Sequence, residues 1–168
     1  MVDVMSRNRA VVSLPTDTQI LIERDFAAPK HLVYKVLTTP EHVSKWWVGE
    51  RGEMKLAEID LRVGGKWRYV MIARKKFEVG FHGEYREIVT NERLVWTEAF
   101  EGAPDPDAHP TVNTLTLRQV GDVTKLSVLV QCESKAQRDL IINSGMEGGM
   151  QEAYDRLEQI AIALGTGD

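Results

Sequence analysis

The chain has 168 residues, 21 of them lysine or arginine and 25 aspartate or glutamate, with a net charge of −4 and 43% hydrophobic residues. That length fits one domain with its own core, and the acidic balance argues against nucleic-acid binding or an anionic membrane surface, both of which leave a basic footprint. The lone cysteine, Cys132, rules out an internal disulfide framework; with apolar runs too short to span a bilayer and no leader-like start, a cytoplasmic location is expected.

Residues 1–17 read as a flexible arm, carrying scattered charges, Pro15 and a polar run, and residues 18–165 as a single domain. Residues 19–26, QILIERDF, form the first expected strand. A short helix follows, with Pro29 at its first turn and Val33, Val36 and Leu37 as its buried stripe. A second short helix opens at Thr39-Pro40-Glu41, where Thr39 can cap, Pro40 presets φ and Glu41 complements the helix dipole; it ends in Trp46-Trp47. The period then changes. Residues 54–60, 66–72, 77–88, 93–100, 112–119 and 124–132 read as antiparallel strands, with Gly64-Gly65, Asn91-Glu92 and Gly121-Asp122 at turns. Residues 101–110 form a polar Pro/Asp loop. After Cys132 the chain is helical for about 30 residues, with Ser134 and Gln137 as a capping box. Met146, Met150, Ala153, Leu157, Ile160 or Ala161, and Leu164 form one apolar stripe along a helix of about 20 residues or more, interrupted by Gly148-Gly149.

The fold class is therefore α+β: about seven antiparallel strands, two short helices after the first, and one long C-terminal helix to cover the sheet. Alternation puts Trp67, Tyr69 and Met71 on one side of their strand, and Phe77, Val79, Phe81 and Tyr85 on the same side of theirs, with His82 and Glu84 opposite. Leu115, Leu117, Leu126, Val128 and Val130 mark the inward sides of the last two strands. Residues 93–100 stay ambiguous: either Leu94, Trp96 and Phe100 or Val95, Thr97 and Ala99 face inward. These wide side chains admit two readings. They are ordinary core, or they line a gap between a curved sheet and the terminal helix, as ligand pockets are lined. On the second reading the ligand-binding candidates are Trp46, Trp47, Trp67, Tyr69, Met71, Phe81, Tyr85, Trp96, Met146, Met150 and Tyr154.

Several pieces resemble one family: Phe26-Ala-Ala-Pro29; Thr39-Pro40-Glu41-His42 leading to Trp46-Trp47; Asp60 through Gly64-Gly65-Lys-Trp67; Gly83-Glu-Tyr85 through Ile88, then Glu92 through Trp96; and Gly145-Met146-Glu147-Gly148 through Arg156-Leu157. In order and over about residues 19–164, they are similar to the activator-of-Hsp90-ATPase-homologue-like family of the START/Bet v 1-like superfamily. The resemblance implies a helix-grip fold, a bent antiparallel sheet gripping a long C-terminal helix around a hydrophobic cavity. It also implies a tight turn at Gly64-Gly65 and Gly148 where the helix passes the cavity. It brings no fixed catalytic set.

Catalytic signatures are absent: no G-x-S-x-G, Walker loop, G-x-G-x-x-G or H-E-x-x-H occurs. Asp105, Asp107 and His109 lack a fourth ligand at useful spacing, so no metal is expected. Cys132 reads as a buried, inert thiol. His31 and His42 read as solvent-facing or satisfied locally. Glu98 is the one catalytic candidate: if Trp96 points inward, Glu98 shares its face, and an apolar cavity would raise its pKa. Pairing with Lys66, Arg68 or Arg86 on the outer face is the alternative. Gln151-Glu152, Asp155-Arg156 and Glu158 read as a solvated helix face. The leading expectation is cofactor-free binding of a small or medium hydrophobic molecule. A hydrolase, cyclase or isomerase using the same cavity, and a chaperone-interacting stress-response module, are the competitors; homodimerisation is left open.

Overall fold

Branched apolar residues alternating with polar ones make each strand one-faced, and glycine or asparagine at positive φ closes the turns between them: Gly64 (φ 83°), Asn91 (φ 66°) and Gly121 (φ 60°). The structure, a computed structural model, describes residues 9–74 and 76–166. Eight strands are described: β1 (Val11–Ser13), β2 (Gln19–Phe26), β3 (Gly52–Ile59), β4 (Lys66–Ala73), β5 (Glu78–Val89), β6 (Arg93–Phe100), β7 (Thr111–Val120) and β8 (Val123–Gln131). The described helices are α1 (Lys30–Thr38), α2 (Pro40–Trp46), α3 (Lys135–Ile142) and α4 (Met146–Thr166), with a 3-10 turn at Pro106–Ala108 in the loop after β6. All pairings are antiparallel, in the order β1-β2-β8-β7-β6-β5-β4-β3.

This order fixes where a site can form. From β2 the chain reaches the opposite edge, β3, only through α1 and α2, and the meander β3 to β8 then returns to pair with β2. The short helices therefore cross one face of the sheet. Register shifts between Met54 and Leu56 and between Tyr85 and Glu87 interrupt the ladders, and such bulges deepen local twist. The Gly64-Gly65 turn is tied to the strand beside it: Gly64 N–H donates to the Tyr85 carbonyl (2.8 Å) and Tyr85 N–H to that of Gly65 (2.9 Å).

The sheet has eight strands, one more than expected, because three residues of the expected arm pair with β2 as β1, with Val12 opposite Ile22. A strand that short shows no period. Ala10 is buried beside it, its N–H and carbonyl both bonded to the Gln151 side chain (3.0 and 2.8 Å). Residues 1–8 of that arm lie outside the described residues. The helical stretch after Cys132 is two helices, broken before Met146 by Gly145 at φ 83°. Ser134 caps α3 by accepting from Gln137 N–H (3.0 Å), while the Gln137 amide oxygen accepts from Glu133 N–H (2.7 Å) in place of the cap residue's own. Thr39 makes no side-chain cap for α2, because its hydroxyl donates back to the Lys35 carbonyl (2.6 Å).

Helix α4 differs most from its sequence reading. Glu158 and Gln151, expected in solvent, are buried. Arg24 of β2, also fully buried, donates to Glu158 (2.9 Å) and to Asp155 (2.8 Å), and the Ala27 N–H donates to the second Glu158 oxygen (2.8 Å). Ala153, Leu157 and Ala161 join the core beside these groups. Gly149 is buried where the Arg51 guanidinium packs, within 2.5 Å of the place a Cβ would occupy, whereas Gly148 is exposed with nothing near it and is not at a cavity wall. The bent antiparallel sheet closed by α1, α2 and the long α4 is a helix-grip fold. No described helix is long and apolar enough to cross a membrane.

Candidate functional site

Beneath α1 and α2 the sheet does not close completely. A hollow of about 80 Å³ remains, lined by Leu37 of α1, Trp46 and Trp47 at the end of α2, and the inward side chains of β4 to β7. From β4 come Trp67 and Tyr69, from β5 Tyr85, from β6 Leu94, Trp96 and Glu98, and from β7 Leu115. Strand β6 therefore turns Leu94, Trp96 and Glu98 inward, while Phe100, at its end, is 46% exposed.

The rings are held in distinct ways. Trp46 Nε1–H donates to the Val36 carbonyl (2.9 Å), tying α2 to α1. Trp67 Nε1–H reaches across β5 to the Thr97 carbonyl of β6 (3.1 Å). That path lies over Gly83, Trp67's register partner, where a Cβ would collide with both the indole and the carbonyl. Trp47 sits edge-on to Tyr69 and to Phe81, each at 5.3 Å between centroids, and Trp67 lies 4.8 Å from Tyr69. The Tyr69 and Tyr85 hydroxyls bond to each other, and burial pushes the pKa of both up.

Glu98 supplies the only carboxylate of the lining. It is half-buried. Burial raises its pKa, partly offset by Trp96 Nε1–H, which donates to Oε1 at 3.3 Å. The same oxygen accepts a long bond from Asn113 Nδ2 (3.5 Å). Asn113 stands opposite Trp96 in register, buried on the apolar face of β7. Its signal was a polar residue alternating with Leu115 and Leu117, and the sequence reading passed over it.

Six of the eleven candidate binding residues meet around the hollow: Trp46, Trp47, Trp67, Tyr69, Tyr85 and Trp96. The other five do not line it. Phe81 stands behind the Trp47 ring. Met71 is buried two residues beyond Tyr69, roughly 7 Å further along β4. Met146 and Met150 are half-buried against the core near the start of α4, and Tyr154 fills the space between α4 and the sheet, 5.7 Å from Phe26 and 6.3 Å from Trp46. Burial, with the nearby charge of Glu98, pushes the Tyr154 pKa up. The hollow thus lies under the short helices, with α4 one layer behind.

On the outer face, Arg68 pairs with Glu101 through two 2.8 Å bonds, not with Glu98. His82 points outward as expected and bridges Glu101 (2.7 Å) and Asp107 (2.5 Å). Hydrogen bonds to Asp107 and Glu101 raise the His82 pKa, and bonds from Arg68 and His82 pull Glu101 down to about 2. Phe77, expected inward, is 55% exposed just outside β5. His31 is exposed, but His42 departs from expectation: its Nδ1 is buried without a hydrogen-bond partner, and burial lowers its pKa. Cys132 is buried, which raises its pKa. Among the described residues no group of three or more histidines, cysteines or carboxylates could hold a metal ion.

Residues 27–161 match the family model described as Activator of Hsp90 ATPase homolog 1-like protein. Among solved structures, a Rhodobacter sphaeroides protein superposes with a TM-score of 0.83 at 24% identity, over 93% of this chain and 99% of that one. A Nitrosomonas europaea protein gives 0.79 at 22% identity, over 90% and 99%. A Chromobacterium violaceum protein gives 0.73 at 26% identity, over 87% and 98%. No curated protein matches the sequence.

Proposed function

The chain belongs to the activator of Hsp90 ATPase homolog 1-like family, and on that premise we propose that it binds a small, largely apolar molecule in the hollow under α1 and α2. The observation that carries this reading is the lining itself: four indoles and two phenols gathered from four elements around space they do not fill. Apolar burial, about 25 cal/mol per Å², supplies the driving force, and the tyrosine hydroxyls and Glu98 orient the ligand. Size sets a limit. The hollow's volume of about 80 Å³ is below the roughly 150 Å³ of a cavity that accepts benzene and far below the roughly 300 Å³ at which drug-sized sites begin. The reading therefore narrows to a ligand of a few heavy atoms.

Leu115→Phe, which places a ring into the hollow from β7, tests it. Titrating the wild-type chain with ethanol while following the indole N–H resonances should shift those of Trp67 and Trp96, and the variant should show no such shift. Equal responses from folded wild type and variant would refute the site. The inward carboxyl favours a second reading, in which Glu98 moves a proton for a bound substrate. That reading predicts that Glu98→Gln keeps substrate affinity and loses turnover.

A further inference from the structure

We propose that the occupant of this hollow is a small organic cation of the alkylammonium class, its positive centre against Oε2 of Glu98 and its methyl groups on the surrounding rings. The proposal rests on the reading of the hollow as a ligand site and adds the charge of what enters it. Both donors that reach the Glu98 carboxylate, Trp96 Nε1 and Asn113 Nδ2, bond to Oε1. Oε2 takes no hydrogen bond from the described residues, and no salt bridge reaches Glu98 among them. The arginines nearest in the fold are engaged elsewhere: Arg24 with Asp155 and Glu158, Arg68 with Glu101, Arg93 with Glu87.

A carboxylate in this position has no counter-ion among the described residues, and a charge set in an apolar wall gains from one. Its neighbours across the hollow are aromatic, and ring faces attract cations. Carboxylate and π-faces thus favour the same sign of ligand charge. A neutral hydrocarbon would leave Oε2 desolvated and unpaired, and an anion would meet repulsion. The volume of about 80 Å³ admits only the smallest members of the class. The titratable groups near Glu98 are Tyr69 of β4, Tyr85 of β5 and Tyr154 of α4, with Arg24 of β2 beyond Tyr154. All three phenols are held neutral by burial, so Glu98 is the group of the lining that can carry a negative charge.

The test compares methylammonium and ethylammonium with ethanol, a neutral molecule of similar size and shape to the latter, on the full chain by calorimetry and indole resonances. Because burial raises the pKa of Glu98, the ammonium ions should bind more tightly as pH rises and the carboxyl ionises, whereas ethanol should show no such gain. Glu98→Gln should weaken ammonium binding by about tenfold or more and should not weaken ethanol binding to the same degree. The pH series on the wild-type chain needs no substitution, so the proposal stays testable if Glu98→Gln folds poorly. Ethanol binding as tightly as ethylammonium at the alkaline end of the series, or ammonium binding that fails to strengthen as pH rises, would overturn the cationic class while leaving the hollow as a site. Failure of every probe to shift the Trp67 and Trp96 resonances would overturn the site reading as well.

Discussion

A Cβ on Gly83 would come within 2.8 Å of Trp67 Nε1, on the line along which that indole reaches the Thr97 carbonyl. The missing side chain is what lets one ring span two strands and become a wall of the hollow. Gly83→Ala must push either the indole or β6 aside, and overpacking of this kind costs about 1–3 kcal/mol. A lower urea midpoint at unchanged m-value, together with a displaced Trp67 indole N–H resonance, is the expected result. A midpoint equal to wild type would mean that the Trp67 contact contributes nothing to the fold.

At the scale of elements, α4 is held to β2 by Arg24 and Glu158, both fully buried and 134 residues apart in sequence. Glu158→Leu leaves the buried Arg24 with Asp155 as its remaining carboxylate and takes the acceptor from Ala27 N–H, so it should destabilise the chain, by less than the roughly 3–5 kcal/mol of a fully unpaired buried charge. Arg24→Met combined with Glu158→Leu should recover most of that loss, because Asp155 is partly exposed and can be solvated without its partner. Denaturant midpoints of the two single variants and the double variant measure the coupling; additive losses would show that the pair does not act as a unit. The loop after β6 is tethered differently, through His82, Glu101 and Asp107. His82's pKa is raised on folding, so its contribution is fully present below its ordinary value of 6.5 and is lost as pH rises through the raised value. Glu101's pKa is depressed, so its contribution is present above 4.5 and is lost as pH falls toward about 2. The tether is therefore complete between about pH 4.5 and pH 6.5. Hydrogen exchange in residues 101–110 should be slowest in that window, and His82→Gln should abolish the loss of protection on the alkaline side. The effect should stay below about 1 kcal/mol, because His82 and Glu101 keep part of their surface in water and Asp107 most of it.

For the whole molecule, the path of α1 and α2 from one sheet neighbour to the far edge decides where open space can exist. Much of that plan was legible in sequence. Alternation located seven strands nearly to the residue, with Gln19–Phe26 and Arg93–Phe100 matching at both ends, and it put Trp67, Tyr69 and Tyr85 on the face that lines the hollow. What failed to show depends on partners distant in the chain. Glu158 and Gln151 look like a solvated helix face until Arg24 and Ala10 are placed against them. Met146 and Met150 share the apolar stripe of α4, but a periodic stripe does not say whether it meets a side chain or a gap. Strand β1 is too short to show a period. The ambiguity over residues 93–100 was physical, since both sets contain apolar residues and only the pairing of Trp96 with Tyr85 and Asn113 settles the facing.

Three of the four indoles in the lining have their N–H anchored, to Val36, Thr97 and Glu98. Trp47 alone makes no such bond among the described residues, and is kept in place by two edge contacts with Tyr69 and Phe81. Aromatic contacts of this kind contribute about 0.5–1.5 kcal/mol each, so this ring is fixed by packing alone. The wall of the chamber is thus weakest at one side chain and not along a seam of the backbone.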